Sequence, residues 1–267
     1  MSVITKKIGT LEYLVGEGIC APHCFTTRFG GVSSGHLSSL NIGIHRGDLW
    51  ENVLKNYKIL ADALNFDLRK AVLSHQTHTD TVLQVGKVHH GAGLFAPELP
   101  ECDALITNEP GTALVVFTAD CTPILLHDPV TGAVGAVHAG WRGTAADIVG
   151  KTVAAMAEAF GSCPGDLLAA IGPNIGPCCF ETDSDVPQAM LETLGREAEA
   201  YIRQKGSKYF VDLKQINARL LERAGVRHID ISDACTACQH HRFWSHRITG
   251  GERGSQGAII VCKGGIL

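Results

Sequence analysis

The sequence lacks long apolar runs, and no stretch of its 267 residues approaches the ~20 apolar residues of a membrane-spanning helix. The first residues, MSVITKKIGTLEYLVGEGI, also lack the apolar segment and small-residue cleavage site of a signal peptide. We therefore expect no membrane contact and a cytoplasmic location. In that reducing compartment the ten cysteines are expected to be free thiols or metal ligands rather than disulfides.

Blocks of one charge are also missing. The chain has 23 Lys and Arg against 27 Asp and Glu, a formal net charge of -4, which argues against a nucleic-acid partner held by bulk charge. There is no internal repeat, low-complexity tract or evident linker, so residues 1–267 are expected to form a single domain. The absence of heptads leaves nothing that demands assembly.

What the chain does contain is an alternation of short apolar runs and amphipathic segments. LWENVLKNYKILADALN and VDLKQINARLLERAGV have helical periodicity, and GTALVVFTAD is typical of a buried strand. DSDVPQAMLETLGREAEAYI is expected to be helical with Asp185 as its N-cap, and Thr144 is expected to cap the helix that follows AGWRG. Hairpins together with crossovers indicate an α+β fold with mixed sheets.

The segment ADCTPILLHDPVTGAVGAVHAGWRG predicts a hairpin that brings a cysteine and a histidine together. If DPVTG is the turn, the numbers of opposed residues sum to about 261, which places His138 near Pro123 and Cys121 near Gly140. Both side chains then lie at the open end of the hairpin, ~7 Å apart along the strands. That separation allows them to converge on one ion.

A metal site needs a third ligand, and SHQTHTD offers His75 and His78. Two histidines and a cysteine leave the fourth tetrahedral position open, as in catalytic zinc sites. Two alternatives stay open: Cys121 and His138 are packed core residues, or Cys121 is a nucleophile with His138 as its base. Asp120 is expected to be structural, because adjacent strand residues point to opposite faces.

Other motifs give weaker indications. AGWRG lies at a strand-to-helix junction, where backbone N–H groups and Arg142 could bind an anion. The Gly- and Ser-rich loop with Arg28 and Asn41 could enclose a polar ligand or could be a plain surface loop. For Cys235 and Cys238 of CTAC, packed thiols are expected, because the adjacent cysteines 178–179 have the wrong spacing for a second zinc-binding pair.

Eight segments in chain order resemble one known family. They run from about residue 20 to the C-terminus: FTTRFGGVS, SLNIG, QTH, CDALIT, ADCTPILL, VHAGWRG, IGPNIGPCCFE and CTAC. The family was first labelled multi-copper polyphenol oxidoreductases or laccases. Its members are now more often described as purine nucleoside phosphorylases, and some bacterial ones as peptidoglycan-editing factors.

The resemblance implies a layered fold of two mixed β-sheets sandwiched between helices in a single domain, usually a monomer. It implies a zinc ion bound by His78, Cys121 and His138, with copper possible in the same site. The implied activities are phosphorolysis of adenosine, inosine and methylthioadenosine to free base and (methylthio)ribose 1-phosphate, and deamination of adenosine. Purine nucleosides and phosphate are then the partners.

The candidate substrate-binding residues are Arg28, Asn41, Gln76 and Arg142. At two positions this sequence departs from the family pattern. Thr79 stands where the family usually has glycine, and Ser255 stands where an arginine is expected, although Arg253 could replace that arginine.

Three other functional classes remain as hypotheses. A multi-copper phenol oxidase needs many closely spaced histidine pairs, and the thirteen histidines include no H-x-H. A hydrolase of cell-wall precursors could use either a zinc-bound water or a Cys–His nucleophile. A non-enzymatic, zinc-stabilised binding module would need four converging protein ligands, and the sequence predicts only three.

Overall fold

The computed structural model describes residues 2–265, which form strands, helices and short connecting turns. The strands, in chain order, are β1 (Val3–Ile8), β2 (Leu11–Gly16), β3 (His23–Thr26), β4 (Ala71–Leu73), β5 (Val82–Gln84), β6 (Ala104–Thr107), β7 (Ala113–Thr118), β8 (Thr122–His127), β9 (Val134–Ala139), β10 (Leu168–Ile171), β11 (Glu181–Thr182), β12 (Ile202–Lys205), β13 (Lys208–Val211), β14 (His228–Ile231) and β15 (Gln256–Val261). The helices are α1 (Trp50–Leu64), α2 (Trp141–Ala145), α3 (Ile148–Phe160), α4 (Asp185–Leu194), α5 (Leu213–Arg223) and α6 (His246–Thr249).

Two six-stranded mixed sheets form the centre of the molecule. The first has the order β1-β2-β3-β15-β7-β4, with β4 and β7 parallel and the other neighbours antiparallel. The second has the order β14-β10-β8-β9-β6-β5, with parallel pairs at both edges. The predicted α+β class with two mixed sheets is confirmed.

Side-chain alternation builds the layers. Along β7, Val116 packs between the two sheets while Val115 packs on the opposite face against α1, where Tyr57 is fully buried. Along β8, Leu125 faces the first sheet and Ile124 faces the layer of α3, α4 and α5. The sheets therefore lie between helices in a single domain, as expected.

A third, three-stranded sheet was not predicted. It consists of β11, β13 and β12, all antiparallel. The segment that was expected to continue α4 is instead a 3-10 helix, Gly195–Tyr201, and β12 begins directly after it. Helix α4 ends at Leu194 because Gly195 follows with a positive φ of 66°. Asp185 is the first helical residue of α4 rather than its cap, which is Ser184.

The expected cap at Thr144 was also wrong. The chain after AGWRG forms the short α2 and then the separate α3, whose N-cap is Asp147 with a carboxylate that accepts from the Gly150 N–H. The Thr144 hydroxyl instead accepts from the Asn217 amide at 2.9 Å. Within residues 2–265, the helices are too short or too polar to cross a membrane.

Candidate metal centre and active site

The hairpin brings Cys121 and His138 together as its turn predicts. Pro123 is paired with His138 and Thr122 with Ala139 along β8 and β9, so the predicted register is confirmed. His78 reaches the same point from the loop between β4 and β5, with its Nε2 at 3.9 Å from the Cys121 Sγ. The donor atoms of all three side chains lie within 4.8 Å of one another.

Asp103, fully buried in the loop before β6, organises this centre. Its Oδ1 accepts from the Nδ1 of His138 at 2.6 Å, which leaves the Nε2 of that ring for the centre. The carboxylate also accepts the backbone N–H groups of Thr77, His78 and Thr79. These bonds stabilise His78 in a left-handed backbone conformation, φ 64°, which non-glycine residues rarely adopt.

Electrostatics favour a thiolate beside a charged imidazole. Partial burial would raise the pKa of Cys121, but His138 and His78 lower it to about 6. Burial would lower the pKa of His138, but Cys121 and Asp103 raise it to about 9. Burial likewise opposes ionisation of Asp103, yet the hydrogen bond to His138 lowers its pKa to about 2. The three groups therefore stabilise one another in their charged forms.

Glycine is required at position 140 for this convergence. A Cβ built there would lie 2.9 Å from the Cδ2 of His78 and 3.5 Å from the Cys121 Sγ. A thiolate and two imidazoles suit zinc or copper, and a carboxylate behind a ligating histidine is a recurrent feature of such sites. The residues present therefore fit a metal ion with three protein ligands.

The centre lies in a cavity that contains two guanidinium groups. Arg46 and Arg253 line it together with Phe117 and the ligand set. Arg253 is 9% exposed, and its burial, together with the nearby charge of Arg46, lowers its pKa to about 10. His75 also lines the cavity, but its Nδ1 is hydrogen-bonded to the carbonyl of Leu99. An anion entering the cavity therefore meets two guanidinium groups, although the carboxylate of Glu98 also belongs to the lining.

Of the four predicted substrate-binding residues, only Gln76 is among the residues that line the cavity. Gln76 lines the cavity, but its amide exchanges two hydrogen bonds with the Phe117 backbone, at 2.6 and 2.8 Å, and so extends the β4–β7 pairing. Asn41 is fully buried and accepts from the N–H groups of Gly43 and Ser255. Substrate binding by Gln76 and Asn41 stays a prediction.

Arg28 and Arg142 lie outside the residues that line the cavity. Arg28 donates to the carbonyls of Ser38 and His240 and stacks over Trp244. Arg142 is exposed on α2, stacked on Trp141. Substrate binding by these two residues stays a prediction.

The two departures from the family pattern have local explanations. The hydroxyl of Thr79 donates to Asp103 at 3.0 Å, adding a bond that glycine could not make. The hydroxyl of Ser255 accepts from the Nε of Arg46 at 3.2 Å. Arg46 and Arg253 thus place guanidinium groups near the position where the expected arginine is missing.

Sequence reasoning missed Asp103 and Arg46. CDALIT contains Asp103, but nothing in that segment indicates a partner 35 residues away on another strand. It also missed the proximity of four other cysteines. The sulfurs of Cys178, Cys179, Cys235 and Cys238 lie within 4.8 Å of one another, so the unfavourable spacing of residues 178–179 does not keep that pair away from CTAC.

Comparisons with known proteins agree with this architecture. A family model described as multi-copper polyphenol oxidoreductase laccase matches residues 22–263, and the chain belongs to this family. Over 244 residues it is 40% identical to a protein of Geobacillus stearothermophilus named purine nucleoside phosphorylase YlmD, covering 90% of this chain and 88% of that one.

Further similarities extend across bacteria and to solved structures. A protein of Escherichia coli named purine nucleoside phosphorylase YfiH is 36% identical, with 86% of this chain and 89% of that one covered. The crystal structure of YlmD from Geobacillus stearothermophilus superposes with a TM-score of 0.91 at 37% identity, covering 98% of this chain and 99% of the other.

Proposed function

We propose that this chain is a zinc-dependent purine nucleoside phosphorylase that also deaminates adenosine. One observation carries the proposal: three metal-type donors converge in a cavity that also contains two guanidinium groups. The names of the similar proteins point to the same substrate class.

The proposed metal ligands are His78, Cys121 and His138. A zinc ion bound there supplies Lewis-acid chemistry and lowers the pKa of a coordinated water. Asp103 keeps His138 in the tautomer that presents Nε2, and its bonds to the backbone at residues 77–79 orient His78. The protein's own contribution is therefore a ligand set that is rigid before substrate arrives.

The remaining cavity residues suit the two halves of a nucleoside reaction. Arg46 and Arg253 can hold phosphate through charge-assisted hydrogen bonds beside the sugar. Phe117 gives the cavity an aromatic wall against which a purine can pack. The buried position of Arg253 excludes water from part of this surface and strengthens its attraction for an anion.

The first test measures products from adenosine, inosine and methylthioadenosine with and without phosphate. Release of free base only with phosphate establishes a phosphorylase, and conversion of adenosine to inosine at the same rate without phosphate establishes deamination by water. We expect His78→Ala, Cys121→Ser and His138→Ala each to lower kcat/KM by ~10³-fold or more, because the ligands act as a unit. Undiminished turnover in all three would exclude the proposal, and Cys163→Ser, at an exposed thiol, is the matched control.

The phosphate site is tested by comparing two arginines. We expect Arg253→Gln to raise the KM for phosphate, because its guanidinium lies in the cavity with the ligand set. Arg142→Gln should leave that KM unchanged, since the side chain is exposed on α2 and stacked on Trp141. The opposite pattern would assign phosphate binding to Arg142.

A second candidate is a hydrolase with Cys121 as nucleophile. The observation that favours it is the hydrogen-bonded pair of Asp103 and His138 beside a thiol whose pKa is lowered to about 6. We expect such an enzyme to cleave amide bonds in cell-wall precursors after metal removal and to be inactivated by iodoacetamide. The metal-dependent proposal predicts instead that metal removal abolishes turnover and that zinc restores it.

A further inference from the structure

A second group of cysteines lies apart from the cavity, in two loops that leave the same edge of the second sheet. One loop follows β10 and carries Cys178 and Cys179, and the other follows β14 and carries Cys235 and Cys238. β10 and β14 are parallel neighbours with Ile171 paired to Ile231, so both chains leave the sheet at the same end. The topology therefore joins two pairs that are separated by more than fifty residues in sequence.

The four sulfurs form a compact group. Every sulfur lies within 4.8 Å of the other three, and the Cys238 Sγ is 3.4 Å from both the Cys178 Sγ and the Cys179 Sγ. Four thiolates around one zinc ion, with Zn–S bonds of about 2.3 Å, would lie only slightly farther apart than that shortest distance. A polynuclear iron–sulfur cluster would hold cysteine sulfurs farther from one another.

The backbone around one of these sulfurs, that of Cys235, is arranged for a thiolate. The Cys235 Sγ accepts from the N–H of Gly176 at 3.1 Å and from the N–H of Cys238 at 3.5 Å. Hydrogen bonds of this kind favour the charged form of a sulfur and orient it as a ligand. A side chain at Gly176 would be tight, because a Cβ there would lie 3.2 Å from the Cys235 Cβ and 3.4 Å from the Cys178 Sγ.

Two cations hold the same loops. Lys214, 6% exposed, donates to the carbonyls of Ser232 and Ala234, at 2.7 and 2.8 Å, just before Cys235. Arg247 donates to the carbonyls of Cys179 and Glu181, at 2.9 and 3.0 Å. A divalent ion with four thiolates has a net charge of −2, and these two positive groups would offset it.

We propose that Cys178, Cys179, Cys235 and Cys238 bind a second zinc ion in a closed structural site. Thiolate sulfur is the ligand type that selects zinc, and a site with four protein ligands has no open position for substrate. A disulfide would satisfy two of the four sulfurs and leave the other two unpaired, and Cys238 is equidistant from its two candidate partners.

The site also supports the catalytic cavity through Asp120, which directly precedes Cys121. The carbonyl of Asp120 accepts from the Ile175 N–H at 2.9 Å, and its carboxylate accepts from the Thr236 hydroxyl at 2.6 Å. Asp120 has a positive φ of 87°, so these contacts maintain a backbone conformation that sets the position of Cys121, directly before β8. Zinc in the four-cysteine site thus fixes both loops that hold Asp120.

The test counts metal and identifies its ligands in the full-length Cys121→Ser protein, purified with reductant, in which the cavity site is disabled. We expect one zinc per chain, with X-ray absorption showing four sulfur ligands at about 2.3 Å. Replacement by Co²⁺ should give the visible spectrum of a tetrahedral all-sulfur site. Three results would each overturn the proposal: a protein without zinc, a zinc ion with nitrogen or oxygen ligands, or a disulfide among the four cysteines on mass spectrometry.

A second variant tests the ligands themselves. Cys238→Ser should lose this zinc and unfold at lower temperature, whereas Cys20→Ser, at an exposed thiol outside the group, should retain it. If Cys238→Ser fails to accumulate as folded protein, the zinc count and ligand set of Cys121→Ser still decide the question. A folded Cys238→Ser protein with undiminished zinc would contradict the assignment.

Discussion

Two cysteine-containing centres in this chain differ in the number of donors they bring together. Around Cys121, one sulfur and two imidazoles converge beside a cavity, so an ion there would keep a position for substrate or water. Around Cys235, four sulfurs converge between two loops, so an ion there would be closed. The count of protein ligands thus separates a proposed reactive centre from a proposed structural one.

The residues that hold the two centres in place also differ, in the sign of their charge. The reactive centre depends on a buried carboxylate, Asp103, which binds a ligand ring and the backbone of the His78 loop. The four-cysteine centre depends on cations, Lys214 and Arg247, which bind loop carbonyls. A mixed-ligand centre needs a group that fixes a tautomer, whereas an all-thiolate centre needs its negative charge offset.

The largest expected effect comes from Asp103→Asn. The amide cannot accept as many N–H bonds as the carboxylate, so His138 and the backbone of residues 77–79 lose their common anchor. We expect ~10- to 100-fold weaker zinc binding at the cavity site, measured by chelator competition, with zinc in the four-cysteine site unchanged.

Glu101→Gln is the control, because Glu101 accepts only an exposed hydrogen bond from the Thr77 hydroxyl in the same loop. A purely structural role for Asp103 would lower the melting temperature without shifting the spectrum of Co²⁺ in the cavity site. A positioning role shifts that spectrum as well.

A smaller effect is expected at Asp120, which links the two centres through hydrogen bonds. Thr236→Val removes the hydrogen bond to the Asp120 carboxylate at 2.6 Å and should cost ~1.5–3 kcal/mol of unfolding free energy in urea titrations. Ser245→Ala removes a 3.1 Å bond to the other carboxylate oxygen from outside the cysteine loops. Thr236→Val alone should also weaken zinc binding by the four cysteines; equal zinc affinity in both variants would mean that Asp120 does not couple the centres.

The parts of the site that sequence reasoning predicted are those set by local geometry. The turn of one hairpin fixes the register of β8 and β9, so the approach of Cys121 to His138 could be worked out by counting residues. The family resemblance, not counting, selected His78 over His75. The parallel pairing of β10 with β14 is a long-range contact, and without it the four cysteines show only an unfavourable spacing.

The errors in the fold prediction also arise where local sequence does not determine the structure. Thr144 and Asp185 are residue types that favour helix caps, but the caps formed at Asp147 and Ser184, because local propensity does not fix a boundary to one residue. Strands β12 and β13 have only four residues each, too few to show the apolar alternation that identifies strands in a sequence. Asp103 was missed because a single aspartate gives no sign of the partners it will meet.

The smallest expected effect concerns the stability of the fold in acid, which depends on His23, a residue outside both centres. His23 is buried in β3; its Nε2 accepts from the Gly16 N–H at 2.8 Å and its Nδ1 lies 2.8 Å from the Ala21 carbonyl. These contacts require the neutral ring, and burial lowers the pKa of His23 below the ordinary 6.5, although the Ala21 bond and nearby Asp230 act in the opposite direction. Below about pH 6.5 the unfolded chain therefore binds a proton that the folded one refuses, and stability falls as pH falls towards the folded-state pKa.

Urea midpoints are measured between pH 7.5 and 5.5 on Cys121→Ser/Cys238→Ser protein, in which both centres are disabled. Burial also lowers the pKa values of His127 and His90, so losses of the same sign from these two residues remain in every variant. His23→Gln, which can keep both hydrogen bonds without titrating, should show a smaller midpoint change with pH than its parent. The exposed His36→Gln serves as the control and should match the parent. A His23→Gln protein as acid-sensitive as its parent would place the titrating group elsewhere. The acid sensitivity of the fold would then have to be sought at His127 or His90.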